Sequence, residues 1–427
     1  MQSTFEKEKQ SIILDHKTLR NIEEKYGSSF YLLDVNKLED TFHKMKNAFE
    51  SKYKNFIIGY SYKTNYLPYL CKMMSQFGAY AEVVSRLEYD LAIKLGVDSK
   101  KIIFNGPLKT KEDLYLALRN ESIVNIDSLY EIPYVKSFAH ANPDKTIQLG
   151  LRVNFDISED GVSILQEGYE LSRFGICTEN GSFQAAINEL KEVNNIKISG
   201  LHGHFSTKNR TVDSYRKKTE RLCKIAKEYI TDTLEFIDIG GGIYGELPKI
   251  FNMNTPTFDD YAKAICEVMN REFKDIDDKP ALILEPGVSM VADAFVFVSK
   301  VIDTKKITDK YFVLVDGSVH NIKPTMHKSN LPMELIKQGD QIREKETFNI
   351  VGYTCMEKDY LAHKVHAQLP QKGDYVIFEN VGAYTIVFNP PFIKERPGIL
   401  TINGDGIFAI RERETFNQFF NEELYKF

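Results

Sequence analysis

Short apolar runs recur along the first two thirds of the chain. They fall at Ser29–Leu33, Phe56–Ile58, Gly78–Val84, Lys101–Phe104, Ile123–Ile126, Ile147–Val153, Ile196–His202, Leu234–Ile239 and Ala281–Leu284. Between them lie segments with an apolar stripe at helical spacing, such as Arg86–Leu95, Lys111–Leu118, Phe183–Val193 and Tyr215–Ile230. The early runs start roughly 22–25 residues apart, the pitch of a strand–loop–helix–loop unit. Eight such strands after the first run predict a (β/α)8 barrel. An open doubly wound sheet alternates in the same way, and the count of eight favours the barrel.

From Phe295 the rhythm changes. Runs at Phe295–Val301, Tyr311–Asp316, Gln341–Ile350, Asp374–Glu379, Tyr384–Phe388 and Ile399–Thr401 are separated by turn residues, without a repeating helix. They predict a second, mainly antiparallel β domain. The expected division is an N-terminal segment, 1–34, whose strand joins the β domain, a barrel over 35–292 and the β domain over 293–427. The barrel is then an insertion in the β domain.

Composition narrows the class. At 427 residues, 43% hydrophobic and 27% charged, the chain is globular and large enough for both domains. A net charge of −5 argues against a nucleic-acid surface. The five cysteines (Cys71, Cys177, Cys223, Cys266, Cys355) fit no metal spacing, which points to a reducing compartment. Met1–Leu14 is charged and polar without a signal-like apolar core, and no long apolar run reads as a membrane span. The expectation is a cytoplasmic protein with no nucleic-acid or membrane partner and no metal.

In a barrel, chemistry gathers at the carboxyl ends of the strands. Those ends read Lys63; Glu82 with Ser85 and Glu88; Asn105-Gly106-Pro107; Arg152; His204; Gly240-Gly241-Gly242; and Glu285-Pro286-Gly287. A lysine closing a buried strand is unusual, and a desolvated amine there gains nucleophilicity toward carbonyls. The glycine run after Asp238 is open to two readings, a phosphate cradle or a tight turn. His202 and His204 read either as a metal pair or as satisfied core residues. Glu285 ends an apolar run and calls for a cationic or protonated partner. Cys355, in Gly352-Tyr353-Thr354-Cys355-Met356-Glu357-Lys358-Asp359, reads as a proton donor or, on spacing alone, as a buried thiol.

Taken together and in order, these pieces resemble the fold-type III pyridoxal-phosphate enzymes. Within them they resemble the ornithine/diaminopimelate decarboxylase branch, built on an alanine racemase-type barrel. The resemblance spans nearly the whole chain. It implies pyridoxal 5'-phosphate as cofactor, a homodimer with shared active sites and an amino-acid-type substrate. It makes Lys63 the Schiff-base lysine and His204 the imidazole on the cofactor ring. Glu82 stands where Asp is usual, with Glu88 six residues on. Arg152, Thr207, the glycines Gly240, Gly241, Gly242 and Gly287, and Tyr384 fall on cofactor-binding positions. Ser172-Arg173-Phe174-Gly175-Ile176 matches a further family segment. Glu285 falls on the carboxylate that pairs the pyridine nitrogen. Cys355 falls on the catalytic cysteine offered across the dimer.

The substrate side departs from the pattern. Val288 follows Glu285-Pro286-Gly287 where the family has arginine. Lys323-Pro324-Thr325-Met326-His327 replaces Arg-Pro-x-x-Tyr, and Met356 replaces the acid that grips a distal amine. Lys323, His327, Met356, Glu357 and Asp359 are the candidate substrate contacts. The expectation is a pyridoxal-phosphate-dependent decarboxylase of an amino acid or amino-acid conjugate. It is diaminopimelate decarboxylase-like, with a non-standard substrate such as a siderophore or secondary-metabolite intermediate. The alternatives are a racemase of the same fold, against which Glu285 argues, and a non-catalytic decarboxylase-like binding protein.

Overall fold

The computed structural model describes residues 14–158, 162–247, 253–403 and 406–425. The polar opening stretch Met1–Leu14 lies, but for Leu14, outside them. The chain divides into two compact units, one of Thr41–Glu246 with Asn254–Met290, the other of the segments on either side.

The first strand, β1 (Phe30–Asp34), belongs to the second unit. The barrel follows with β2 (Phe56–Ser61), β3 (Tyr80–Val83), β4 (Ile102–Phe104), β5 (Ile123–Ile126) and β6 (Ile147–Asn154). A two-residue strand, β7 (Ile176–Cys177), then pairs only with β6, and β8 (Ile196–His202), β9 (Phe236–Asp238) and β10 (Ala281–Leu284) complete the ring. The order β5-β4-β3-β2-β10-β9-β8-β6 is parallel throughout, and β5–β6 pairing closes it. Helices start where the sequence supplies caps. Thr110 and Thr257 form capping boxes with Asp113 and Asp260, and Ser85 and Thr211 accept from Glu88 N and Ser214 N.

The floor of the barrel is apolar. Ile103, Phe236, Ala281 and Ile283 form one buried cluster there. Phe236 needs a gap in the wall, because a Cβ on Gly200 would lie 2.3 Å from its ring. Gly200→Ala is therefore expected to destabilise the protein by about 2 kcal/mol, the usual cost of overpacking a filled core. A urea midpoint equal to wild type would disprove this.

The second unit holds β11 (Phe295–Ile307), β12 (Lys310–Val315), β13 (Met333–Ile336), β14 (Lys345–Val351), β15 (Tyr360–Gln368), β16 (Tyr375–Phe378), β17 (Gly398–Asn403) and β18 (Gly406–Arg411). The path runs β15-β14-β12-β11-β1-β17-β18, with β16 on β11 and β13 on β16. Pairing is mainly antiparallel, with β1–β17 and β12–β14 parallel. Helix His16–Tyr26, capped by Asp15, lays Leu19 and Ile22 on a core of Phe30, Leu32, Val298 and Ile377.

Two of the expected β runs are corrected. Tyr384–Phe388 is not a strand: Tyr384 has φ 54°, and Ile386–Phe388 forms a 3-10 turn. The run from Gln341 becomes a strand only at Lys345. The strands Met333–Ile336, Tyr360–Gln368 and Gly406–Arg411 escape periodicity because their burial is weak and their residues mixed.

Candidate active site

The carboxyl ends of β2, β3, β4 and β10 carry one connected set of polar side chains. β2 passes at Ser61 into a single 3-10 turn, Tyr62–Thr64, that presents Lys63. Lys63 Nζ lies 2.8 Å from Glu82 Oε2, and Ser61 Oγ donates to the same oxygen at 2.5 Å. Asn105, just past β4, donates through Nδ2 to Glu82 Oε1 at 3.1 Å and to Glu285 Oε1 at 2.5 Å. Both amide hydrogens are thereby used, while its carbonyl accepts from Asn125 Nδ2 at 2.8 Å. A continuous hydrogen-bond path thus joins Lys63 to Glu285. The two buried carboxylates, Glu82 and Glu285, are matched by donors and so escape the cost of an unpaired buried charge.

The lysine differs from expectation in one respect. Its side chain is 39% exposed and ion-paired rather than desolvated. Glu88 is buried in the first turn of the next helix, where it accepts from Val84 N at 2.7 Å. Burial pushes its carboxyl up to about 7, against the lowering effect of that hydrogen bond.

A second chain of contacts holds the opposite side of the barrel mouth. Arg152, two residues before the end of β6, donates to Asp127 Oδ1 at 2.9 Å and to the His204 carbonyl at 3.2 Å. Its guanidinium lies 4.6 Å from the centre of the Phe174 ring in the Ser172–Ile176 segment. Lys109 and Glu131, both fully buried, pair at 2.9 Å, and Glu131 also accepts from the backbone N–H of Asp127 and Ser128. The His204 ring accepts from Gly241 N at 3.1 Å. Burial, reinforced by the charges of Arg152, Lys63 and Lys218, holds His204 well below the usual imidazole range.

The glycine loop is more engaged than expected. Gly240 N donates to Asp238 Oδ1 at 2.9 Å, and Gly241 N is taken by His204. The loop can therefore offer a phosphate only the amides that follow. Glycine is required sterically at 241, where a Cβ would lie 2.1 Å from the Glu285 carbonyl. Gly287 packs as tightly, its would-be Cβ lying 2.0 Å from Thr64 Oγ1 beside the lysine. The Thr207 hydroxyl is buried and finds no hydrogen-bond partner among the described residues.

Sequence reasoning gave no role to Asp127, Lys109, Glu131, Asp238 or Lys218, left His202 between a metal pair and a core residue, and placed Asn105 at a strand end without a function. His202, Asn105 and Asp238 stand at strand ends, which is the signal that marks them. The buried pair of Lys109 and Glu131 left none, because both residue types are ordinarily solvated.

The second unit carries the remaining candidates. Cys355 is exposed, which corrects the buried-thiol reading drawn from spacing. Glu357 is exposed and Met356 half-buried beside it. Asp359 is corrected as a substrate contact. It is buried, and its carboxylate accepts from Ser318 Oγ, Val319 N and Thr354 N within 3.1 Å, so it shapes the loop that carries Cys355. Lys323 is buried and donates to the Ser329 carbonyl at 3.3 Å, and burial lowers its pKa. His327 is exposed, and Tyr384 lies over Phe388 with ring centres 6.0 Å apart.

A closed parallel barrel with a lysine and two buried carboxylates at its mouth, in a chain that also carries a mainly antiparallel β domain, defines a fold-type III pyridoxal-phosphate enzyme. Comparison with known proteins agrees. The family model for the pyridoxal-binding domain of pyridoxal-dependent decarboxylases matches residues 35–292. The chain is similar to diaminopimelate decarboxylase of Methanocaldococcus jannaschii, 28% identical over 92% of this chain and 90% of that one. The crystal structure of the M. jannaschii enzyme superposes with a TM-score of 0.85 over 95% of this chain and 94% of that one, at 26% identity. The L-glutamyl-[BtrI acyl-carrier protein] decarboxylase of Niallia circulans is 28% identical over 88% of this chain and 89% of its own. The chain belongs to the pyridoxal-dependent decarboxylases, and is a carboxy-lyase that uses pyridoxal phosphate. Among the described residues no helix is long and apolar enough to cross a membrane.

The residues present fit that cofactor. Lys63 supplies a primary amine at the barrel mouth, and Glu285 a buried carboxylate for a pyridine nitrogen. The unpartnered Thr207 hydroxyl suits a phosphate oxygen.

Proposed function

We propose that this chain removes the carboxyl group of an amino acid whose far end carries an acyl carbonyl in place of a free amine, as in a conjugated amino acid. The observation that carries this reading is Lys323, a buried amine that donates, among the described residues, to one backbone carbonyl, that of Ser329. A buried ammonium so poorly matched is costly, and a substrate oxygen would relieve it. Met356 reinforces the reading, because a thioether gives a distal amine nothing to bind. The N. circulans relative, named for a glutamyl group on a carrier protein, is a precedent for a conjugated substrate.

The roles follow from chemistry at named atoms. Bound pyridoxal phosphate supplies the electron sink that accepts the pair left when carbon dioxide departs. Lys63 Nζ would be the amine that holds the cofactor's aldehyde. Glu285, as an anion, would favour a proton on the cofactor's ring nitrogen. His204, kept uncharged by burial, offers a neutral ring that does not compete for that proton. Thr207 and the amides beyond Gly241 would hold the phosphate. Arg152 fixes the His204 backbone, and Cys355, from a second copy of the chain in a homodimer, returns a proton to the α-carbon.

Carbon dioxide release by the loaded enzyme tests the substrate class. The panel is L- and D-lysine, ornithine, arginine, meso-diaminopimelate, and acyl- or citryl-conjugated diamino acids. A conjugate is expected to be turned over with the highest kcat/KM. Efficient turnover of meso-diaminopimelate or ornithine, with the conjugates inert, would sink the proposal. Exchange of the α-proton with solvent, without carbon dioxide, would put a racemase in its place.

A further inference from the structure

Three neighbouring strands deliver His202, Asp238 and Glu285 to one point inside the barrel. His202 ends β8 and is the register partner of Asp238, which ends β9. Asp238 in turn pairs with Ile283, two residues before Glu285. One side-chain donor or acceptor atom from each lies within 4.8 Å of the others. All three are buried, with exposures of 2%, 0% and 5%.

Two carboxylates buried this close cannot both be ionised; one must hold a proton. The hydrogen bonds say which. Glu285 receives Asn105 Nδ2 at 2.5 Å and has His202 Nε2 at 3.4 Å from its second oxygen. Asp238 receives one amide, Gly240 N, on Oδ1. Its Oδ2 is buried and accepts from no donor among the described residues, and a carboxylate oxygen of Asp238 lies within 4.8 Å of one of Glu285. An acceptor with nothing to accept, beside a carboxylate, is satisfied once it carries a proton and donates it.

We propose that Asp238 is a neutral acid that donates its proton to Glu285 and, with His202, holds Glu285 as the anion the cofactor's ring nitrogen requires. Both are positioning residues that reach the cofactor only through Glu285, and the inference rests on the role given above to Glu285. The electrostatics run the same way. Burial and the neighbouring Glu285 push Asp238 far above the carboxylate range. Burial alone would raise Glu285 too, but His202, Asp238 and Lys63 more than offset it.

An amide at position 238 separates the protonation states. In Asp238→Asn the carbonyl takes the Gly240 amide and the NH2 group donates to Glu285, reproducing a protonated acid. The loaded enzyme is expected to keep its visible absorbance spectrum, to hold its cofactor through dialysis and to retain kcat within about threefold. Asp238→Ala, which removes the donor, is expected to shift the spectrum and lower kcat about tenfold with little change in KM. Glu285→Gln is expected to shift the spectrum further and lower kcat about 100-fold or more. Thermal melts establish that each variant is folded, and Asp238→Asn decides alone if Asp238→Ala is not.

Asp238→Asn failing as badly as Glu285→Gln would overturn the inference, since Asp238 would then act as an anion, while the role of Glu285 would stand. Asp238→Ala behaving as wild type would overturn it as well. So would a stoichiometric metal ion found by elemental analysis of the purified protein, which would make the three side chains ligands. An unchanged spectrum in Glu285→Gln would instead overturn the role of Glu285 itself, and the inference with it.

Discussion

Lys63→Ala is expected to abolish carbon dioxide release, by about 10⁴-fold or more, and to remove the visible absorbance of covalently held cofactor. The fold should survive. Glu82, the partner of Lys63, keeps Ser61 Oγ at 2.5 Å and Asn105 Nδ2 at 3.1 Å when the lysine is gone. The lysine end of the lost pair is partly exposed, and the two remaining donors keep the buried Glu82 carboxylate satisfied. Loss of activity with an unchanged melt is the expected signature. The competing amine is Lys218, which burial lowers to about 7 and so makes nucleophilic in principle. Its nitrogen, however, is bound to the Ile239 carbonyl at 2.7 Å and packs on the Tyr215 ring. Lys218→Ala should therefore leave covalent attachment intact. If Lys63→Ala kept the absorbance and Lys218→Ala lost it, the assignment of the reactive amine would be wrong.

What the sequence made legible follows from what each residue type does locally. The barrel could be read because a buried parallel strand must be a short apolar run and each connecting helix must show a stripe. The mouth could be read because a barrel forces its chemistry to the carboxyl ends, where Lys63, Glu82, Arg152 and Glu285 stand. What stayed hidden depends on contacts between distant residues. Asn105 looks like a turn residue until its amide is seen bridging two carboxylates. Lys109 and Glu131 look solvated, yet are fully buried against each other. Asp359 looked like a free acid beside Cys355, but backbone and hydroxyl donors had already claimed it. Tyr384 sat in an apolar run that reads as a strand, while its left-handed backbone turns the chain out of the sheet.

Mixing Lys63→Ala and Cys355→Ala variants tests the shared active site proposed above. Lys63→Ala removes the amine from the barrel, and Cys355→Ala removes the thiol from the β domain. If each site takes its lysine from one subunit and its cysteine from the other, a mixed dimer contains one doubly damaged site and one intact site. Random exchange makes half of the dimers mixed, so activity should return to about a quarter of wild type. That rise, from near zero for either variant alone, is the largest gain any of these substitutions can produce. The exposed Cys355 suits this role, since a thiol meant for a partner must lie at its own subunit's surface. Recovery requires the subunits to exchange, so the variants are unfolded and refolded together, with wild type treated alike as the reference. Refolded mixtures that stay at the level of the better single variant, while wild type regains activity, would show that lysine and cysteine serve one site within the same chain. A monomer by sedimentation with full activity would do so directly.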